Sequence, residues 1–475
     1  MRDPYQTPLF DTLKQFADKK PVSFHVPGHK SGALFPKKAR DTFASILPID
    51  LTELTGLDDL HAPDGVIRDA QAAAAEFFGA EQTFFLVNGS TVGNLAMILA
   101  AVGRGERVIV QRNCHKSIMN GLELAGALPV FIAPEYDPAV RRYTHPSFET
   151  LEEALRQFPD TKAVILTYPD YFGSTYPLEP MIKAVHGMDL PVLIDEAHGV
   201  HFALGEPLPP SALSLGADVV VQSAHKMAPA MTMASYLHIQ GNRISGNRVA
   251  HYLQMLQSSS PSYPLMASLD VARMYLETLS QTAFEQALDN IANTRKQLQA
   301  FSGWDVLPVA KGTDPFKVTL QMKDSKSGFT AMKYMEAVGL YPELATQDQV
   351  LLVLGLQAFK PFEDYKKAWQ STNEQLKKAE NHATMDLVQL FPEKVMELAF
   401  AYDTMNIHSH KEIPLQEGIG YIAAEPVIPY PPGIPLLLRG ERITKAHVRT
   451  LQALLEQGAN IQQRQRQGYI SIFAD

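Results

Sequence analysis

The chain has 475 residues, 45% apolar and 20% charged, with a net charge of -9 at neutral pH. That length suits two or three domains with ample core, and the balance of residue types is that of a globular protein rather than a disordered one. The negative charge and the lack of a basic run argue against a nucleic-acid surface. A single cysteine, Cys114, excludes an intrachain disulfide framework and a cysteine zinc cluster, which fits a reducing cytoplasm.

The opening Met1-Arg-Asp-Pro-Tyr-Gln-Thr-Pro carries charge but no apolar run, so no secretory signal is expected. Residues 1–65 read as an irregular arm rich in Pro, Gly and His, including His25-Val-Pro-Gly-His-Lys30. Over 66–290, short apolar runs alternate with helical stretches. Strands are expected at 83–87, 107–110, 129–132, 163–167, 191–194, 218–221 and 234–239. The uncharged stretch 83–102 has the length of a membrane span. Asn88, Gly89, Ser90, Thr91, Gly93 and Asn94 interrupt it, so a strand, a turn and a buried helix fit better. This alternation predicts an α/β fold with a largely parallel sheet covered by helices, whose ligands gather at the carboxyl ends of the strands. Residues 291–475 read as a smaller C-terminal α+β domain. Within it, 357–383, which includes Lys360, reads as a solvated helical face and Ile428-Pro-Tyr-Pro-Pro-Gly-Ile-Pro435 as a rigid extended segment. The Gln/Arg-rich tail at 457–467 reads as helix surface.

Two strand ends carry the chemistry. Val219-Val-Val-Gln-Ser-Ala-His-Lys226 ends on a lysine, and Val192-Leu-Ile-Asp-Glu-Ala-His198 delivers the carboxylate Asp195. A solvated loop lysine and a helix-capping aspartate are the plain alternatives. Taken together, an amine and a carboxylate at the ends of strands in one sheet suit pyridoxal 5'-phosphate (PLP). The lysine would form a Schiff base and the carboxylate would hold the pyridinium nitrogen protonated. Asn88-Gly-Ser-Thr91 follows a strand and opens a helix, as a phosphate site or as an ordinary N-cap. It is neither GxGxxG nor a P-loop. His115 follows another strand, where an imidazole could stack on a pyridine ring. Ser223 and His225 flank a second position for phosphate oxygens. His198, His201 and Glu196 lack HExxH spacing, so no metal site is expected.

Eight segments, in order and suitably spaced, resemble the ornithine/lysine/arginine decarboxylases, PLP enzymes of the aspartate-aminotransferase-like fold (fold type I). They are Phe24-His-Val-Pro-Gly-His-Lys30, Leu57-Asp-Asp-Leu-His61, Phe85-Leu-Val-Asn-Gly-Ser-Thr91, Gln111-Arg-Asn-Cys-His-Lys116, Asp195-Glu-Ala-His198, Ser223-Ala-His-Lys226, Ser258-Ser-Ser-Pro-Ser-Tyr263 and Pro429-Tyr-Pro-Pro-Gly-Ile-Pro435. The resemblance implies that Lys226 bears the cofactor, that Asp195 pairs with its ring nitrogen, and that His115 and Ala197 lie on the two ring faces. It puts Ser90, Thr91, Ser223 and His225 at phosphate positions, with His198 also in the cofactor site. It implies a homodimer at least, in which the arm and the Ser258–Tyr263 run reach the neighbouring site, and a short form without an amino-terminal wing domain. The chain departs from the pattern at Met227-Ala228, at Tyr421 and at Asp170. An acidic group near a cofactor phosphate would repel it, so Asp170 either points away or meets a cation such as substrate.

The implied activity is decarboxylation of a basic amino acid in polyamine metabolism, arginine first, then lysine or ornithine. For the distal cation, Glu425 ranks first and Asp170 second. The rivals are another fold-type-I reaction, transamination or aldol cleavage, and a catalytically silent regulatory homologue.

Overall fold

The computed structural model describes residues 2–310, 312–357, 361–381, 390–391, 393–429, 433–462, 466 and 468–474. The expected features at Lys360, at Tyr430-Pro-Pro432 and at positions 463–465 and 467 lie outside the described residues.

In chain order the principal strands are β1 (Gln82–Leu86), β2 (Arg107–Gln111), β3 (Leu128–Ile132), β4 (Tyr136–Asp137), β5 (Arg142–Tyr143), β6 (Thr161–Thr167) and β7 (Val192–Asp195). They continue with β8 (Val219–Gln222), β9 (Ser235–Ile239), β10 (Trp304–Val306), β11 (Lys317–Met322), β12 (Leu344–Ala345), β13 (Gln349–Val353) and β14 (Val395–Glu397). The first helices are α1 (Pro8–Asp18), α2 (Lys37–Phe43), α3 (Val66–Phe78), α4 (Gly89–Ala101) and α5 (Lys116–Ala125). Each of the seven expected strands is present within two residues of its predicted ends. The chain forms two compact units, each built from two separated stretches: Met1–Ala101 with Val185–Ser280, and Val102–Ala184 with Gln281–Asp475.

In the first unit β7 runs parallel to β8, while β9 pairs antiparallel with both β8 and β1. Every residue of β7, β8 and β9 is buried, the pattern of strands covered on both faces. Helix α4 packs so closely that a Cβ on Gly93 would stand 2.7 Å from Leu86 and 2.8 Å from Val221. Only glycine permits that approach. The expected strand, turn and buried helix over 83–102 is therefore present, and among the described residues no helix is long and apolar enough to cross a membrane.

The arm is more regular than its composition suggests. Proline starts α1, where its fixed φ suits a first turn, and Leu9 and Leu13 form a buried stripe one turn apart. Asp270 Oδ2 accepts the Leu9 N–H at 3.0 Å. Arg273, itself fully buried, pairs with Asp270 at 2.9 Å and donates to the Pro4 carbonyl at 3.0 Å. A buried ion pair thus fixes the start of the chain, which periodicity could not reveal.

In the second unit β2 pairs parallel with both β6 and β3, and β14 closes the edge antiparallel to β3. A separate antiparallel sheet has the order β10-β11-β13-β12. The charged stretch near 357–383 yields the helix Lys366–Lys378, but its face is only partly solvated, because Trp369, Thr372, Asn373 and Leu376 are buried. The tail differs from expectation. Helix Lys445–Glu456 ends before it, and Ile461–Gln462 is a short strand paired with Ile428–Pro429. Gly458, at φ +79°, stands at that break, a conformation that stops a helix.

Candidate active site

The first unit gathers most of the predicted residues. Because β7 and β8 are parallel with Asp195 opposite Val221, the carboxylate and the Ser223–Lys226 turn emerge together at the carboxyl ends of these strands. Asp195 is 3% exposed. Its Oδ2 accepts from Asn94 Nδ2 at 3.0 Å and its Oδ1 from the Ala197 N–H at 3.2 Å. Ala197 and His198 are buried beside it. Lys226 lies on the short helix Ala224–Met227, with Nζ 3.0 Å from His198 Nε2. Ser223 Oγ donates to Ser90 Oγ at 2.8 Å, which joins the lysine turn to the first turn of α4, where Thr91 is exposed. His225 Nδ1 stands 3.0 Å from the Ala234 carbonyl. Asn94 was not anticipated, although one amide among the apolar positions of α4 is a signal for it.

Beside these strand ends lies a second buried polar group to which the sequence reading gave no role. Glu196, next to Asp195, is fully buried; it accepts from Gln222 Nε2 at 2.6 Å and from the Ala212 N–H at 2.7 Å. Burial pushes its carboxyl up to about 8, against the pull of those two bonds. Gln222 Oε1 lies 3.0 Å from His238 Nε2, and His238 Nδ1 lies 2.8 Å from Thr83 Oγ1. Burial drives the imidazole down to about 3, so His238 is neutral.

Two family-like segments also meet within this unit. His61 Nε2 lies 2.8 Å from the Ser258 carbonyl, and the Tyr263 hydroxyl donates to the Asp58 carbonyl at 2.6 Å. The Asp58 carboxylate accepts backbone N–H groups from Asp59, Asp64, Gly65, Ile67 and Arg68, so it serves as a loop clamp.

His115, Asp170 and Glu425 belong to the second unit. His115 caps α5, its Nδ1 accepting the Ser117 N–H at 3.2 Å. Asp170 accepts the Ser174 N–H at 2.8 Å, and its Oδ2 lies 3.8 Å from Arg142 Nε. Burial raises the carboxyl and lowers the guanidinium, each opposed by the charge of the other. The cation that Asp170 meets is thus one of its own chain. Arg142 also lies 4.1 Å over the Phe172 ring and donates to Ser174 Oγ at 3.0 Å. Glu425 lines an open groove of about 710 Å³ with Lys116, Glu123, His410, Arg439 and Gln462. Lys116 donates to Gln462 Oε1 at 2.8 Å. Of the other departures, Met227 is buried and Tyr421 is 48% exposed.

Comparison with known proteins gives this arrangement its class: the protein is an amino-acid decarboxylase. Residues 7–313 match the family model described as Orn/Lys/Arg decarboxylase, major domain, residues 380–463 match the corresponding C-terminal domain, and the chain belongs to that family. It is 43% identical over 461 residues to the uncharacterized protein YaaO of Bacillus subtilis, covering 96% of each chain. It is 35% identical over 473 residues to the arginine decarboxylase of the same organism, covering 96% of this chain and 95% of that one. The lysine decarboxylase LdcF of Francisella novicida has a similar fold, with a TM-score of 0.80 at 18% identity, covering 99% of this chain and 81% of that one. These relationships support decarboxylation of a basic amino acid.

Proposed function

We propose that the protein is a PLP-dependent decarboxylase of a basic amino acid, arginine first and lysine or ornithine next, serving polyamine formation in the cytoplasm. The observation that carries this reading is the buried Asp195 at the same strand ends as Lys226, whose amine is 3.0 Å from His198. Arginine is favoured by the 35% identity to an arginine decarboxylase along almost the whole chain.

The residues present fit the cofactor. Each Asp195 oxygen accepts one N–H and keeps a further lone pair for a ring nitrogen. At the start of α4, Gly89 has φ +76° and open space where a Cβ would point, beside the Ser90–Ser223 pair. Lys226 would carry PLP, and Asp195 would hold its ring nitrogen protonated. Ser90, Thr91, Ser223 and His225 would hold the phosphate at the helix N-terminus, where free amides favour an anion. His115 and Ala197 would flank the ring. Bound there, PLP supplies an electron-accepting ring for the pair left when carbon dioxide departs.

The protein's own groups do the rest. His198 lies within hydrogen-bond reach of the Lys226 amine, so one proton can be shared between them while the amine is in its nucleophilic form. Glu425 is the favoured anchor for the substrate's distal cation, because Asp170 already faces Arg142. Val22, Phe24, Val26 and Leu34 of the arm are exposed, Phe24 by 94%, and would be covered in a homodimer with shared sites. The division at 65 and 290 remains the proposed domain plan.

Purified protein given PLP and each of arginine, lysine and ornithine tests this reading by chromatography of the amines. Agmatine should form fastest. Absence of amine from all three substrates would reject the proposal.

A further inference from the structure

The four buried groups Glu196, Gln222, His238 and Thr83 sit just beyond β7 or on β8, β9 and β1, one from each strand of the first unit's sheet. Glu196 directly follows Asp195, and Gln222 directly precedes the Ser223–Lys226 turn. Their 2.6 Å contact therefore ties the two strand ends at the residues next to the carboxylate and the lysine. The backbone repeats the tie, with Glu196 N–H donating to the Val221 carbonyl at 2.9 Å. We propose that Glu196 is a positioning residue, the head of a proton-coupled hydrogen-bond chain whose polarity sets how β7 and β8 present Asp195 and Lys226.

The chain has two complete polarities. In the first, Gln222 Nε2 donates to a Glu196 carboxylate, His238 Nε2–H donates to Gln222 Oε1, and the Thr83 hydroxyl donates to His238 Nδ1. In the second, a protonated Glu196 donates to Gln222 Oε1, the turned amide donates to His238 Nε2, and His238 Nδ1–H donates to Thr83 Oγ1. Turning the amide end for end keeps a donor facing an acceptor at each of the three side-chain contacts in both states. Passing from the second to the first releases one proton from Glu196 to solvent, while the imidazole proton moves from Nδ1 to Nε2 by exchange. Burial favours the protonated state until alkaline pH. The titratable groups around the chain are Asp195, His198 and His201 on the segment of Glu196, and Tyr236 at 5.7 Å from His238 on β9. Phe78 of α3 packs on the imidazole at 4.8 Å, and the Ala212 segment presents only a backbone N–H to Glu196.

The activity part of this inference rests on the decarboxylase reading; the tautomer part does not. The test is ¹⁵N spectroscopy of histidine-labelled holoprotein between pH 6 and pH 9.5, with His238 assigned by difference against His238→Gln. The wild type should pass from the Nδ1–H to the Nε2–H tautomer with a midpoint near about 8. Glu196→Gln, which keeps the bonds but cannot titrate, should show no passage. Thr83→Val, at the far end, should move the midpoint to lower pH, because a buried acceptor without a partner is tolerated better than a buried donor. In activity, Glu196→Ala should lose at least about tenfold in kcat at pH 7, and Glu196→Gln should restore most of it. A single His238 tautomer across the range, or an unchanged midpoint in Glu196→Gln or Thr83→Val, overturns the chain. A normal tautomer change with equal kcat in wild type and Glu196→Ala overturns its positioning role. Loss of all decarboxylation in the wild type with the tautomer change intact overturns the decarboxylase reading instead.

Discussion

Asp195→Asn separates charge from shape at the proposed centre. The carboxylate accepts one N–H on each oxygen, from Asn94 at 3.0 Å and Ala197 at 3.2 Å. An amide has a single oxygen, so one of those donors loses its partner, at about 1–3 kcal/mol of stability. The larger effect is electrostatic. Two opposite unit charges about 4 Å apart are worth about 4 kcal/mol at an effective dielectric near 20. If about two thirds of such a pairing is lost from the transition state in Asp195→Asn, the barrier rises by about 2.7 kcal/mol, or about a hundredfold in kcat. The assay is steady-state amine production beside cofactor content read from absorbance. The expected result is a hundredfold fall in kcat with PLP still bound and a modest drop in Tm. Near-normal turnover would refute the pairing, and loss of cofactor would assign Asp195 a binding role instead.

The Glu196 carboxyl binds its proton more tightly folded, at about 8, than unfolded, near 4.5. Its favourable contribution is therefore complete below about 4.5 and is lost as pH rises toward about 8, by up to about 1.4 kcal/mol per pH unit. Denaturant titrations of Glu196→Gln against wild type should show the variant gaining relative stability over that window, and parallel curves would contradict the buried titration. Glu425→Gln should raise KM for the basic substrate, by about 2–5 kcal/mol if the charge pair is desolvated, with PLP binding intact. Unchanged kinetics there and in Asp170→Asn would move the distal-cation site elsewhere. Mixing Lys226→Ala with a Ser258-run mutant should restore some activity if sites are shared between chains. A fully active monomer would rule sharing out.

The strands were legible because each is a short, largely apolar run, wholly buried in β7, β8 and β9 and mostly buried in the others. The placement of Lys226 and Asp195 at the ends of neighbouring parallel strands was legible from the apolar runs that precede them. Asn94, Gln222 and His238 were less visible, since each lies inside an element whose pattern reads as core and acquires a role only through a strand distant in sequence. The Asp270–Arg273 clamp on the arm is long-range in the same way. The tail at 457–467 misled because glutamine and arginine suit an exposed helix, while a glycine at positive φ ends the helix first.

Borohydride reduction of the PLP-treated protein, followed by peptide mapping, asks whether Lys226 carries the cofactor. One pyridoxyl group per chain is expected, on the peptide containing Lys226, and none in Lys226→Ala. Labelling of a different lysine, or no labelling of the wild type, would contradict it.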